Sequence, residues 1–266
     1  FKTNKFNRKY LIISLSPYTF LICLLLFLLR KKVFVYLRSN GYEEYRCYSK
    51  YFGPIIYYCM FNLASRGSKL IACRSHLLNG KKGEVVSPSQ LNEKWFDHRK
   101  PPNLKTIKFL YVGRIRIEKG IFSLLKILKE IKLDFSFTII NPEKFYDKRL
   151  ENEKVKIIHF KKDHESIIKE YDDHNIFILP SYTEAHPQVL DESLSRLRPA
   201  IIFPEISHVK RNREGIFVAE RNSKSLLEKA KLILESYDTI QKNMMLNKFP
   251  NKKSFLNEMT KIVNQG

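Results

Sequence analysis

The chain has 266 residues, 44% of them apolar, enough for a real core in one large domain or two smaller ones. Its 48 Lys plus Arg outnumber 27 Asp plus Glu, and the net charge of +21 favours an anionic partner: a nucleotide, a polyanionic glycan, a phospholipid surface or a nucleic acid. The four cysteines, Cys23, Cys47, Cys59 and Cys73, form no CxxC pair and have no histidine at ligand spacing, which argues against a structural zinc site and fits reduced thiols.

The first residue is Phe1 rather than Met, as in a fragment of a longer chain. Tyr10 to Leu29 is apolar enough to be weighed as a membrane span of about 20 residues. Ser14, Ser16, Pro17 and Thr19 interrupt it, and the unbroken part, Phe20 to Leu29, is too short to cross. A βαβ unit accounts for more: a strand over "YLIISL", a turn at "SP", a helix over "FLICLLLFLL", a basic stop at "RKK" and a strand over "VFVYL". Arg8-Lys9 and Arg30-Lys31-Lys32 flank both sides, so charge gives no orientation. After Leu37 the chain reads as Tyr-rich and irregular, with a helix from about Tyr51 to Ser65 and a strand over "KLIACRS". From His76 to Thr106 it is rich in Pro, Asn, Gly and Lys, and Pro101-Pro102 marks a linker. A boundary is therefore expected between Asp97 and Thr106, with domains over residues 1–100 and 101–266.

From Ile107 the pattern is a regular alternation. Strands are expected over "IKFLYV", "FSFTII", "VKIIHF", "NIFILP" and "PAIIF". Helices are expected over "IFSLLKILKEI", "HESIIKEYDDH", "HPQVLDESLSRL", "SKSLLEKAKLILESY" and "KSFLNEMTKIV", the first with Ile121, Leu124, Leu125 and Leu128 on one face. The fold class is α/β, with a parallel sheet, helices on both faces and right-handed crossovers. Ligands of such folds bind beyond the carboxyl ends of the strands. Two loops leave strand ends there: Gly113 to Gly120, and Pro180 to Pro187.

In "VGRIRIEKG", Gly113 allows a sharp turn off the strand. Arg114 brings a planar donor fork suited to phosphate oxygens, and Lys119 a point charge just before a helix N-terminus, where anions are already favoured. The loop is neither a Walker A motif nor GxGxxG. In "SYTEAHPQVLDES", Pro187 suits the first turn of a helix, leaving amides around Gln188 and Val189 for a phosphate. Glu184 lies on the loop and Glu192 inside the helix, and carboxylates accept hydrogen bonds from sugar hydroxyls. Anion donors for a diphosphate beside two hydroxyl acceptors suit a nucleotide sugar. Taken singly, Glu192 could be a surface carboxylate paired with Arg196 at i+4, and His186 an ordinary loop histidine. Asp172-Asp173 ends a helix and reads as a solvated cap.

Glu184, seven residues, then Glu192 resembles the E-x7-E motif of the retaining GT-B glycosyltransferases of group 1, family 4 of the glycogen-synthase-like superfamily. "FLYVGRIRIEKGI" is similar to that family's F-x-G-R-L-x-x-x-K-G segment, and "ILPS" and "GIFVAERNSKSLLEKAKLIL" also match; the likeness covers about Lys105 to Ile240. It implies a GT-B fold of two Rossmann-like domains facing a cleft. Against that pattern the donor domain is expected to be complete. The acceptor-side domain is incomplete, with three strands expected before the linker and no glycine-rich loop.

The resemblance implies that Arg114 and Lys119 neutralise the donor diphosphate and the charge on the leaving nucleotide. It implies that Glu184 contacts the transferred sugar, Glu192 the ribose, and the backbone of Ala185, His186 and Pro187 the sugar and phosphate. Phe160 and Lys161 would flank the base. Three departures stand out: Ala185 replaces the usual glycine after the first glutamate, Arg198 the glycine before the next strand, and "PEISHVKRN" the glycine pair after it. The expected activity is retaining transfer, of the hexosyl type, from a nucleotide-diphosphate sugar to a glycan or lipid-linked acceptor, without metal or other cofactor. The competing readings are a basic membrane- or nucleic-acid-binding protein without catalysis, and a GT-B sugar-nucleotide epimerase. Basic residues (Lys5, Arg8, Lys9, Arg30, Lys31, Lys32, Arg38, Arg46, Lys50) interleave with aromatics in the first fifty positions. They predict a cytoplasmic protein attached peripherally to the inner membrane face without a true span.

Overall fold

Ser16 shapes the first turn of the chain. Its hydroxyl accepts from Thr19 N while Thr19 Oγ1 accepts from Ser16 N, a capping box with Pro17 at the first helical position. This closes strand β1 (Lys9–Ile13) and opens helix α1 (Pro17–Leu28), which leads into β2 (Lys32–Leu37). The expected βαβ unit is therefore formed. The computed structural model describes residues 8–143, 147, 150, 153–159 and 164–265; Lys5, Phe160 and Lys161 lie outside them. At 12 residues α1 is about 18 Å long, short of the roughly 30 Å of a bilayer core. Among the described residues no helix is long and apolar enough to cross a membrane.

Two compact units make up the chain: Phe1–Gln90 with Glu184–His186 and Pro250–Gly266, and Leu91–Thr183 with Pro187–Phe249. In unit 1 the stretch after Leu37 is more ordered than its composition announces. The Asn40 side chain caps α2 (Gly41–Tyr48), whose first turn carries Glu43 and Glu44 and whose last turn carries Arg46, each complementing the helix dipole. Helix α3 (Phe52–Gly67) follows, then β3 (Lys69–Ala72) and a fourth short strand, β4 (Gly83–Val85), one more than the three expected. All four strands pair in parallel in the order β1-β2-β3-β4. Val33, Val35, Leu37, Leu70 and Ile71 form the core with Tyr57, Met60 and Phe61 of α3.

Unit 2 follows the predicted alternation: β5 (Ile107–Val112), α4 (Ile121–Lys129), β6 (Phe135–Asn141), β7 (Val155–His159), α5 (His164–Asp173), β8 (Ile176–Leu179), α6 (Gln188–Ser195) and β9 (Ala200–Ile202). β10 (Ile216–Val218), α7 (Ser223–Glu235) and α8 (Tyr237–Met244) complete it. The six parallel strands are ordered β10-β9-β8-β5-β6-β7. Successive residues feed opposite faces: Phe109, Tyr111, Ile178 and Ile201 pack with α4 and α7, Leu110, Phe177, Leu179 and Ile202 with α6. Apolar on both faces, such strands read as continuous hydrophobic runs. The last helix, α9 (Lys252–Gln265), returns to unit 1, where Phe255 meets Tyr36 and Lys9 Nζ binds the Val263 carbonyl.

Asp172 is not the solvated cap expected of it. Its carboxylate is buried, bonded to Arg196 Nε at 2.9 Å and Nη2 at 2.7 Å, with Arg198 3.7 Å away. The same Arg196 donates to the carbonyls of Trp95, Asp97 and His98, and Arg198 to those of Tyr171, Asp172 and Lys100. Two buried arginines thus tether the segment from Trp95 to Lys100 to the α5 end. Asn175, also buried, accepts from Lys108 N and donates to the Asn103 and Thr106 carbonyls, which fixes the entry to β5.

Candidate functional site

Strand order in unit 2 reverses between β5 and β8. From β5 the chain moves outward to β6 and β7, then crosses back to β8 and continues to β9 and β10. A crevice at the carboxyl ends of the strands forms at such a switch point. The two loops singled out by sequence, 113–120 and 180–187, leave these two adjacent strands.

Both loops are joined to each other. Tyr182 N donates to Glu118 O at 2.9 Å. Gly120 stands at φ +65, and a methyl group there would come within 2.0 Å of Pro180 O. No other residue type fits this approach. Gly120→Ala is expected to cost more than the roughly 1–2 kcal/mol of the left-handed backbone alone, because the two loops must also separate. Thermal unfolding and hydrogen exchange at residues 113–120 measure it; an unchanged melting temperature would contradict the close approach. Gly113 N donates to Ile140 O, and the Tyr111 hydroxyl to Arg114 O at 2.8 Å, so the start of the loop is also held.

Arg114 follows, exposed, and Lys119 is half-buried immediately before Gly120 and α4. Between them Arg116 pairs with Glu143 at 2.9 Å. Sequence reasoning passed over a further cation. Arg221 lies over the rings of Tyr182 at 4.3 Å and Phe203 at 4.4 Å, grips both carboxylate oxygens of Glu205, and donates to Pro180 O at 3.1 Å. It clamps the start of the second loop. Its partner Glu205 comes from "PEISHVKRN", which stands where the glycine pair was expected. Nothing in the sequence beyond the capping Asn222 beside it marks Arg221. Asn141 was also missed. It ends β6 fully buried, its Oδ1 accepting from Glu143 N, with no partner for its Nδ2 among the described residues.

On the second loop Glu184 and His186 are half-buried, and Ala185 and Pro187 are buried. Ala185 packs into the core of unit 1. Within that unit Arg74 Nη2 is bonded to His186 Nδ1. A guanidinium only donates, so Nδ1 is the acceptor and the ring proton sits on Nε2. Pro187 proves to be the N-cap of α6 rather than its first-turn residue. The amides of Gln188 and Val189 still precede the first bond of the helix, Leu190 N to Pro187 O at 3.1 Å.

Glu192 is not paired with Arg196, whose guanidinium is committed to Asp172. It accepts instead from the Tyr171 hydroxyl at 3.0 Å, within reach also of Val189 O at 3.1 Å. That hydroxyl has one proton and can serve only one acceptor fully. Although part of the Glu192 side chain reaches solvent, its carboxyl is crowded by protein: burial pushes it up to about 7, opposed by the Tyr171 bond and reinforced by Asp191. Burial also raises Tyr171 well above the usual phenol range. The next carboxylate, Asp191, is buried and neutralised by Arg213. Phe160 lies outside the described residues.

The family model for glycosyl transferases group 1 matches residues 93–249, more than half of the chain. The chain belongs to this family. Among curated proteins, none matches its sequence. Several solved structures share the fold of this group 1 glycosyltransferase. Sucrose-phosphate synthase from Thermosynechococcus elongatus aligns at a TM-score of 0.71 and 16% identity, over 96% of this chain and 73% of that one. Anabaena Alr3699/HepE, solved in complex with UDP-glucose, aligns at 0.74 and 12%, over 96% and 79%. A glycosyltransferase from Rickettsia africae aligns at 0.58 and 17%, over 95% and 82%. The fold is that of GT-B glycosyltransferases, as the motif resemblance implied. Of its departures from the family pattern, Arg198 is absorbed as a buried structural cation and leaves the two loops intact.

Proposed function

We propose that this group 1 glycosyltransferase transfers a hexosyl group, with retention, from a nucleoside-diphosphate sugar to a glycan or lipid-linked acceptor at the cytoplasmic leaflet. One observation carries the reading: a cationic loop, and a loop bearing Glu184 that runs into the helix bearing Glu192, leave adjacent strands at the switch point and are bonded through Tyr182 N and Glu118 O. That Alr3699/HepE was solved with UDP-glucose favours a UDP-sugar as donor.

In this reading the bond from the anomeric carbon to the diphosphate oxygen breaks, and a bond to the acceptor oxygen forms on the same face. The acceptor hydroxyl gives its proton to the leaving phosphate. Arg114 and Lys119 stabilise the charge gathering on that diphosphate, a role that in other enzymes falls to a metal. The Gln188 and Val189 amides at the start of α6 donate to it. Glu184 accepts from hydroxyls of the transferred sugar, Glu192 from the ribose. No metal takes part, so chelation by EDTA leaves turnover unchanged.

Glutamine variants test the division between the carboxylates. Glu192→Gln should weaken the bare nucleoside diphosphate and the nucleotide sugar alike. Glu184→Gln should slow turnover about 10²-fold or more and leave the bare diphosphate nearly untouched. Equal losses in calorimetric titration with both ligands would refute separate roles.

Glu192 also sets a pH dependence. Its carboxyl, raised to about 7, is neutral below that pH in the unliganded protein. Ribose hydroxyls favour the anion, so binding expels a proton, and affinity should climb with pH up to about 7 and level off above it. Folding stability moves the other way. The raised group contributes fully below the ordinary carboxylate value, and the contribution is lost as pH rises through about 7. Glu192→Gln should flatten both profiles.

A further inference from the structure

Among the described residues, unit 1 leaves two helices with an apolar face uncovered. Right-handed crossovers from β1 to β2 and from β2 to β3, in one direction along the sheet, put α1 and α3 on the same side, and the two pack side by side. Helix α1 is apolar all round, yet only Cys23 and Leu26 are buried in the core. Leu21, Ile22, Leu25 and Leu28 recur at helical spacing on its outer side, with Leu25 55% and Leu28 81% exposed. On α3, Phe52, Ile55, Ile56 and Leu63 repeat the same spacing, Ile56 51% exposed. Scattered exposed leucines are ordinary, but an apolar stripe at helical spacing on each of two helices that pack together marks an interaction surface.

The charge around this face selects its occupant. Between residues 8 and 83 there are 13 Lys and Arg and only Glu43 and Glu44 as acids. Glu43 is already paired with Arg46 at 3.1 Å. Arg30 and Arg66 stand exposed where α1 and α3 end, and Lys50 before α3 begins. Tyr18 and Tyr51 are exposed where α1 and α3 begin, and Tyr48 where α2 ends, and such amphipathic rings settle at the boundary of lipid and water. Two short helices lying side by side, greasy outward and rimmed by cations, suit insertion into the headgroup layer rather than a crossing.

We propose that the outer face of α1 and α3 docks on an anionic lipid bilayer, lying in its plane with the apolar stripes below the headgroups. The attachment is independent of the transfer reaction. Vesicle flotation with the full chain tests it, using phosphatidylcholine alone and phosphatidylcholine mixed with phosphatidylglycerol. The protein should float with the mixed vesicles only and be released by high salt. Leu25→Glu with Ile56→Glu should abolish flotation, while Arg30→Glu and Arg66→Glu should each lower partitioning about fivefold or more. Leu28→Ser, at a still more exposed position, serves as a second apolar variant; melting curves matching the parent protein separate lost docking from lost folding. Three outcomes overturn the proposal. The protein does not float with either vesicle. It floats equally with Leu25→Glu/Ile56→Glu. Or light scattering finds a dimer that the same pair dissociates while flotation is absent, which assigns the face to a second copy of the chain. Donor binding by calorimetry is expected to persist in the non-floating variants, so failure here leaves the transferase reading standing.

Discussion

Arg114→Ala is expected to lower kcat/KM by about 10²- to 10³-fold, the loss typical of removing one donor from a site of developing negative charge. Arg114 is exposed, so its removal should leave the melting temperature unchanged and act on chemistry alone. The diphosphate gains charge as the glycosidic bond breaks, so the interaction is stronger in the transition state than in the bound donor. Most of the loss should therefore appear in kcat, with a smaller rise in KM. Lys119→Ala should behave alike. Lys119→Arg should recover only part of the activity, because a rigid planar fork does not reproduce the placement of a compact ammonium on a flexible stem. Steady-state kinetics with a UDP-sugar and titration with UDP give both quantities. If both alanine variants bind UDP as tightly as the parent protein and turn over normally, the loop is not the diphosphate site.

How far the sequence carried this reading depended on where burial was decided. The strands Ile107–Val112 and Ile176–Leu179 are apolar on both faces, so their runs survive any detail of packing. The two glutamates and the Arg114 loop were legible because strand ends are legible, and the topology then brings those ends together. Three-residue strands such as Gly83–Val85 are too short to display a period. Helix Gly41–Tyr48 did carry a signal, Asn40 followed by Glu43 and Glu44, which the surrounding tyrosines obscured. Arg221 and the Arg196–Arg198 pair were invisible for a different reason. In a chain with 48 Lys and Arg, the default for any one of them is a solvated side chain. What overrides the default is a set of carbonyls and rings far away in sequence, from Trp95, Lys100, Tyr182 and Phe203, that no local pattern contains. Glu192 shows the same limit: an i+4 cation was available in sequence, but Asp172 holds it more completely.

The buried cations give the largest expected effect on stability. Asp172→Asn should destabilise unit 2 by about 3–5 kcal/mol, because it leaves the Arg196 and Arg198 guanidiniums buried without their anion. Arg196 is 1% exposed, so solvent cannot take over the role of the carboxylate. For a chain of this size the loss corresponds to a fall of roughly 10 °C in the melting temperature. Asp172→Leu combined with Arg196→Met removes that ion pair and should recover part of the loss, since a buried ion pair itself carries a large desolvation cost, while Arg198 stays buried without its anion. Full recovery is not expected. Arg196 also satisfies the carbonyls of Trp95, Asp97 and His98, and methionine leaves all three without a donor. Hydrogen exchange should therefore rise over residues 95–100 in the double variant even as global stability returns. Denaturant melts of the single and double variants, read with exchange, separate the charge effect from the tethering effect. An Asp172→Asn protein as stable as the parent would show that the ion pair contributes nothing and that the segment is held by the carbonyl bonds of Arg196 and Arg198 alone.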